Sequence, residues 1–248
     1  MKADAVIVGG GFAGLAAATY LARARRTVRL LDTGKPRNRF ASASHGFLGQ
    51  DGSDPGQILA TARNQLLAYP TVELIEAEAT EARLAGDGFA VSLANGDELE
   101  ARKLILAFGL RDELPVLPGL EERWGKAVLH CPYCHGIEFS DQPLGVLYRM
   151  PMSVHQACLI AEWGPTTLYL NGAKLEEGDA DRLAAHGVSI EAAPVAALIG
   201  EGPALSAIEL ETGERRALAA LYIAPRSCLG SPLAEQLGAD IGESPVGP

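Results

Sequence analysis

Positive charge is scarce in this 248-residue sequence: 21 lysines and arginines stand against 31 aspartates and glutamates, a net charge of −10. Nucleic acid and anionic membrane surfaces both need a basic face, so no nucleic acid and no membrane is expected as partner. Long hydrophobic runs are missing too, and none reaches the roughly 18 apolar residues of a membrane span. The opening Met1-Lys2-Ala3-Asp4 enters an apolar run directly, leaving no room for a secretory h-region. A cytoplasmic address is expected. Cysteine is sparse, four in all, which is too few for a disulfide scaffold and fits reduced, catalytic or inert thiols. No P-loop, Ser/His/Asp elbow or clear carboxylate pair is present. With 48% apolar and 21% charged residues, the chain can bury a sizeable core in one large domain or two modest ones.

The hydrophobic pattern alternates between strand and helix. Residues 5–8 (Ala-Val-Ile-Val) form a short apolar run ending in glycines, as in a buried parallel strand. An Ala-rich helix over Leu15 to Arg25 and a second run from Thr27 to Leu31, ending at Asp32, complete a βαβ unit. A helix follows at Ile58 to Leu67 and a strand at Val72 to Ile75. Between Ala77 and Glu100 the period becomes two, with Gly-Asp-Gly and Asn-Gly-Asp turns, which predicts a small antiparallel meander. A buried strand returns at Leu104 to Ala107. A second βαβ unit reads from Leu144 to Leu147, through a helix near Ser153 to Trp163, to Thr167 to Leu170. A helix at Asp179 to Ala185, a strand at Val188 to Ile190, β-rich sequence across 195–223 and a short helix at Leu233 to Leu237 follow. Two dinucleotide-type folds in tandem are expected.

Gly9, Gly11 and Gly14 form G-x-G-x-x-G between the first strand and helix, with Phe12 and Ala13 in between. Gly9 makes the tight turn, Gly11 lets backbone approach a pyrophosphate, and Gly14 lets helix and strand pack closely. The phosphates then meet free N–H groups at the helix N-terminus. Asp32 closes the second strand, where its carboxylate can accept from a ribose hydroxyl and would repel a 2′-phosphate. A dinucleotide is expected here.

His130-Cys131-Pro132-Tyr133-Cys134-His135-Gly136 contains one C-x-x-C. Its spacing cannot wrap a zinc tetrahedron and no second C-x-x-C exists, so no metal is expected. The pair instead suits a thiolate that cycles with a disulfide. Cys158 lies on an apolar helix face and is expected in the core, whereas Cys228 has no partner in sequence.

These segments resemble the low-molecular-weight thioredoxin reductase family of flavoproteins. The likeness rests on Gly9 to Gly14, Gly34-Lys35-Pro36-Arg37-Asn38-Arg39-Phe40, Ser44-His45-Gly46-Phe47-Leu48-Gly49, Leu106-Ala107-Phe108-Gly109 and Cys131-Pro132-Tyr133-Cys134. It implies a doubly wound α/β protein with two Rossmann-like domains, the second inserted in the first, and small antiparallel meanders. The FAD-binding domain would span 1–112 and 227–248; a degenerate NAD(P)-type domain, 113–226, would carry the C-x-x-C. The resemblance also implies a homodimer, and FAD contacts from Gly9, Gly11, Phe12, Ala13, Gly14, Asp32, Arg39, Phe40, His45 and Gly109. By the family pattern Cys134 lies against the flavin and Cys131 is the outer thiol. His135 takes the place of the acid after the second cysteine and can move a thiol proton. With flavin and His135 beside it, Cys134 is expected to ionise below the usual ~8.5.

The sequence departs from the family in three places. Tyr148, Met150 and Ser153 stand where a second glycine fingerprint belongs, and Pro151 lacks an N–H donor. Asn171-Gly172-Ala173-Lys174 lacks the arginines that receive a 2′-phosphate. NADPH is therefore a doubtful donor. The family also continues for several dozen residues, with a Gly-Asp segment for FAD, beyond the position of Pro248, so weak FAD retention is expected. The expected function is FAD-dependent dithiol/disulfide exchange with a thioredoxin-like protein or a small dithiol or disulfide. An oxygen-dependent dithiol oxidase and a non-catalytic flavin-binding redox sensor are the alternatives.

Overall fold

The computed structural model describes residues 2–244 and 246–247. Met1, Pro245 and Pro248, at the expected limits of the first domain, lie outside the described residues. Short, apolar, β-branched runs do become strands, and each is punctuated by glycine or a polar turn. β1 (Ala3–Val8), α1 (Phe12–Arg23) and β2 (Val28–Asp32) are followed by α2 (Pro55–Leu67) and β3 (Val72–Glu76). β4 (Ala79–Ala85), β5 (Gly88–Leu93) and β6 (Glu98–Leu106) come next. These six strands form one sheet in the order β3-β2-β1-β6-β5-β4.

The expected antiparallel meander is present as β4–β5–β6 and continues the parallel strands in one sheet. β6 is a single nine-residue strand that pairs antiparallel with β5 through 98–101 and parallel with β1 through 101–106. Its polar first half (Glu98, Glu100, Arg102) and apolar end (Leu104, Ile105, Leu106) read as two elements because their neighbours differ. Covered faces explain the apolar run of β1. Ile7 packs with Leu15, Ala18, Leu59 and Leu66 under α1 and α2, while Val6 and Val8 face Val91, Ala101 and Leu233.

The second unit repeats the scheme. β8 (Val128–Leu129), β9 (Leu144–Leu147), β10 (Thr166–Tyr169), β11 (Ser189–Glu191) and β15 (Ala220–Ile223) form a parallel sheet ordered β11-β10-β9-β15-β8. α4 (Met152–Ile160) and α5 (Asp179–Ala185) cover one face through Val154, Ala157 and Leu183. On the other face lie the strands β12 (Val195–Ile199), β13 (Ala207–Leu210) and β14 (Arg215–Ala217). α3 (Pro132–His135) is a single turn between β8 and β9. The two chain crossings run side by side, β7 (Leu110–Glu113) pairing antiparallel with β16 (Arg226–Leu229). α6 (Leu233–Gln236) then returns to the first sheet, where the Gln236 side chain accepts from the Ala82 amide at 2.9 Å. Neither β7 nor β16 was legible in the sequence, because their polar residues carry no strand period.

One buried charge secures the second unit. Arg123 is 2% exposed and donates to the carbonyls of Gly119 (2.7 Å), Gly200 (2.9 Å) and Ala204 (2.9 Å), with Glu122 as ion partner. Arg123→Met keeps the volume but orphans three carbonyls. It should lower unfolding free energy by about 3 kcal/mol, read from the urea midpoint; an unchanged midpoint would show that water replaces the guanidinium.

Candidate active site

The glycine loop has the geometry its spacing requires. Gly9 sits at φ 112°, and a side chain there would collide with the Ala107 carbonyl. A Cβ on Gly14 would overlap the Gly9 carbonyl oxygen, so α1 can lie against β1 only with glycine at that position. At Gly11 a Cβ would meet nothing within 4 Å, and no side chain caps α1. Ala13 is exposed and Phe12 half-exposed, its ring edge-on to Phe47 at 5.9 Å. The result is an open, backbone-lined cradle at a helix N-terminus.

Asp32 reaches this loop but is already engaged. Its Cγ presses on Gly10, its Oδ1 accepts from the Gly34 amide at 3.1 Å, and its Oδ2 pairs with Arg63 of α2. The Nε of Arg63 is buried and has no hydrogen-bond partner among the described residues. Arg63 escaped the sequence reading because nothing marks an arginine that meets its partner 31 positions away.

The remaining expected FAD residues are placed less uniformly. The Arg39 guanidinium lies 4.1 Å over the Phe40 ring and donates to the Pro36 carbonyl at 3.0 Å. Phe40 packs against Gly125 of the second unit. Among the described residues no hydrogen bond joins either residue to the glycine loop. Gly109 has φ 70° and accepts from the Gly230 amide at 2.9 Å. A groove of about 390 Å³ opens between α1 and α2, beside Phe12 and Tyr20 and away from the cysteines.

His45 leaves the first unit to meet the cysteine segment. Its Nε2 is 3.2 Å from Glu138 and its Nδ1 3.5 Å from Asp51. Its ring stands edge-on to His135, with centroids 5.9 Å apart. Cys131 starts α3 in extended conformation, Pro132 occupies the first helical position, and the Cys134 amide donates to the Cys131 carbonyl at 3.3 Å. Trp163, at the end of the α4 segment, supports the turn from beneath. Its ring is edge-on to Tyr133 at 5.4 Å and in contact with Gly136.

Both thiols are free. Although Cys134 is exposed as a residue, burial of its sulfur, a hydrogen bond to Cys131 and the Cys131 charge push its thiol up to about 11. In the protein alone crowding dominates; the expectation of a lowered Cys134 concerns the flavin-bound site. Cys134 is therefore hard to ionise in the protein alone. His135 is moved down, first by burial and also by the neighbouring His45, while Glu138 opposes. Glu138 was missed in the sequence, although it lies only four residues after Cys134.

The loop between β9 and α4 is held by one of its own side chains. Ser153 is fully buried, and its Oγ accepts from the amides of Arg149 (3.0 Å) and Met150 (3.4 Å). Tyr148 fills the turn, and its hydroxyl is pushed up by burial and then by Glu176 and Asp179. Cys158 is buried in the core as expected, and Cys228 lies in the β7–β16 ribbon, facing the Arg111 carbonyl.

Residues 3–158 match the family model described as pyridine nucleotide-disulphide oxidoreductase. The chain belongs to this family. It is thioredoxin-reductase-like: it is 37% identical over 182 residues to thioredoxin reductase tcpT of Claviceps purpurea, a match spanning 68% of this chain and 56% of the relative. Across three curated relatives of that identity the chain spans between 37% and 57% of their length. The solved oxidoreductase from Agrobacterium tumefaciens has a TM-score of 0.93 at 43% identity, covering 100% of this chain and 83% of its own. HlmI has a TM-score of 0.94 at 40% identity, covering 97% and 77%. Membership implies FAD, and the open Gly11 cradle fits a dinucleotide. Among the described residues no helix is long and apolar enough to cross a membrane.

Proposed function

We propose that the chain is a flavin-dependent dithiol/disulfide oxidoreductase acting through Cys131 and Cys134. The observation that carries this reading is the pair of free thiols at the start of α3, with His135 packed edge-on against His45 beside them. In the reducing direction the Cys131 thiolate attacks one sulfur of a substrate disulfide, and the substrate S–S bond breaks. His135 takes the Cys134 proton. The Cys134 sulfur then attacks Cys131, releasing the second substrate thiol and leaving the pair as a disulfide. Two electrons have passed to the substrate; in the oxidising direction the same steps run backwards. Bound FAD supplies a two-electron store next to the pair. Gly9, Gly11, Phe12, Ala13 and Gly14 would hold its diphosphate and Asp32 its ribose, with Arg39, Phe40, His45 and Gly109 around it. We take 1–112 with 227–248 as the FAD domain and 113–226 as the inserted domain. The substrate is a thioredoxin-like protein or a small dithiol or disulfide, and the assembly a homodimer in the cytoplasm.

NADPH is not the electron donor in this reading. The amides that would bind its pyrophosphate already serve Ser153. Glu176 and Asp179 add negative charge beside Tyr148, where no arginine cluster receives a phosphate. Anaerobic mixing of the FAD-loaded protein with submillimolar NADPH should leave the flavin yellow, while dithionite bleaches it. Rapid bleaching by NADPH would overturn this assignment. The blocked loop also favours a second reading, a dithiol oxidase that passes electrons from flavin to oxygen. Oxygen uptake on adding a small dithiol separates the two.

A further inference from the structure

Glu138 lies on the 3-10 turn just after the cysteine helix, and His45 approaches it from the loop that follows β2. His45 is 25% exposed at its side chain and has a carboxylate at each ring nitrogen, Glu138 at 3.2 Å and Asp51 at 3.5 Å. The same His45 ring touches His135 edge-on. One carboxylate thus stands within reach of two imidazoles. It bonds the one from the first unit, not the one beside Cys134.

We propose that His45 is a positioning residue that sequesters the Glu138 carboxylate, leaving His135 uncharged and free to accept a proton from the cysteine pair. The inference rests on reading Cys131 and Cys134 as the exchanging thiols. A free carboxylate at Glu138 would bond the His135 ring and hold it as imidazolium, which has no lone pair for a thiol proton. With its carboxylate turned to His45, Glu138 opposes burial only in part, and burial, the largest cause, holds His135 down. The other groups facing this site are Cys131 and Cys134 on α3 and Asp51 behind His45. From β15 comes the buried Tyr222 hydroxyl, which has no hydrogen-bond partner among the described residues and is held protonated by burial, Glu138 and Cys131. Because His45 belongs to the glycine-loop unit and Glu138 to the cysteine-bearing one, His135 becomes a proton acceptor only where the two meet.

The sequence has five histidines, so each ring Cε1 proton can be followed by NMR titration of the FAD-loaded protein, with His135→Gln providing the assignment. His45→Asn removes the ring nitrogen that Glu138 bonds and frees its carboxylate for His135. The His135 midpoint should rise by ~0.5–1 in pH, and the acid limb of kcat/KM should move up with it. Adding Glu138→Gln to that variant should cancel the rise. Glu138→Gln alone, at an exposed position that tolerates change, should lower the midpoint, since Asp51 still holds His45. A His135 midpoint that stays put in His45→Asn, or a rise that survives Glu138→Gln, overturns the proposal. If the midpoints move as stated while His135→Gln exchanges disulfides normally, the carboxylate trap stands and the role given to His135 in catalysis fails instead.

Discussion

Replacing Cys131 with serine is expected to reduce disulfide exchange by roughly 10³-fold or more, the loss that follows removal of a nucleophile. Cys134→Ser should be as inactive for a different reason. Cys131 can still attack, but nothing resolves the product, so a mixed disulfide with substrate accumulates and is seen as added mass. The Cys131→Ser protein should show no such adduct. An adduct in Cys131→Ser and none in Cys134→Ser would reverse the two roles. The titration of Cys134 gives an independent check. Burial is the leading cause of its upward displacement, with the Cys131 hydrogen bond and charge adding to it. In Cys131→Ser the charge contribution of Cys131 is lost while burial remains. Before FAD is added, the thiol should therefore ionise below about 11 yet above the usual ~8.5. Iodoacetamide labelling followed over alkaline pH reads that midpoint directly; fast labelling at neutral pH would show that the sulfur is not crowded.

The second large effect separates two glycines of one motif. Gly14→Ala drives a methyl group into the Gly9 carbonyl, with backbone on both sides and nothing flexible to yield. α1 must lift from β1, at a cost of about 3 kcal/mol or more whether or not a cofactor is present. Gly11→Ala meets nothing within 4 Å, so stability should stay within ~0.5 kcal/mol. Its methyl group occupies the space through which a diphosphate approaches, and FAD affinity should fall on the order of 10–100-fold. Thermal unfolding and flavin titration of the two variants read these outcomes. Equal FAD binding by Gly11→Ala and the parent would place the diphosphate elsewhere.

Elements whose signal lies within a few residues were readable from the chain. The β1–α1–β2 unit and the glycine spacing depend on local backbone demands: positive φ at Gly9 and a missing Cβ at Gly14. Even the loss at Ser153 was visible, though not that its hydroxyl would take over the amides of Arg149 and Met150. β6 was divided into two strands because its two halves have different neighbours. The β7–β16 ribbon escaped notice because its pairing joins residues more than a hundred positions apart.

What the sequence by itself determined was the family, the two-unit α/β plan and the chemistry available, since side-chain type and short-range spacing specify turns, cradles and thiols. Tertiary structure alone decided the electrostatics. Arg63 answers Asp32 from another helix, His45 crosses from one unit to hold Glu138 in the other, and crowding makes Cys134 the reluctant thiol of the pair. Charge interaction and desolvation depend on distance through space and on displaced water. Separation along the chain carries no information about either, so these partners became visible only once the sheets had brought them together.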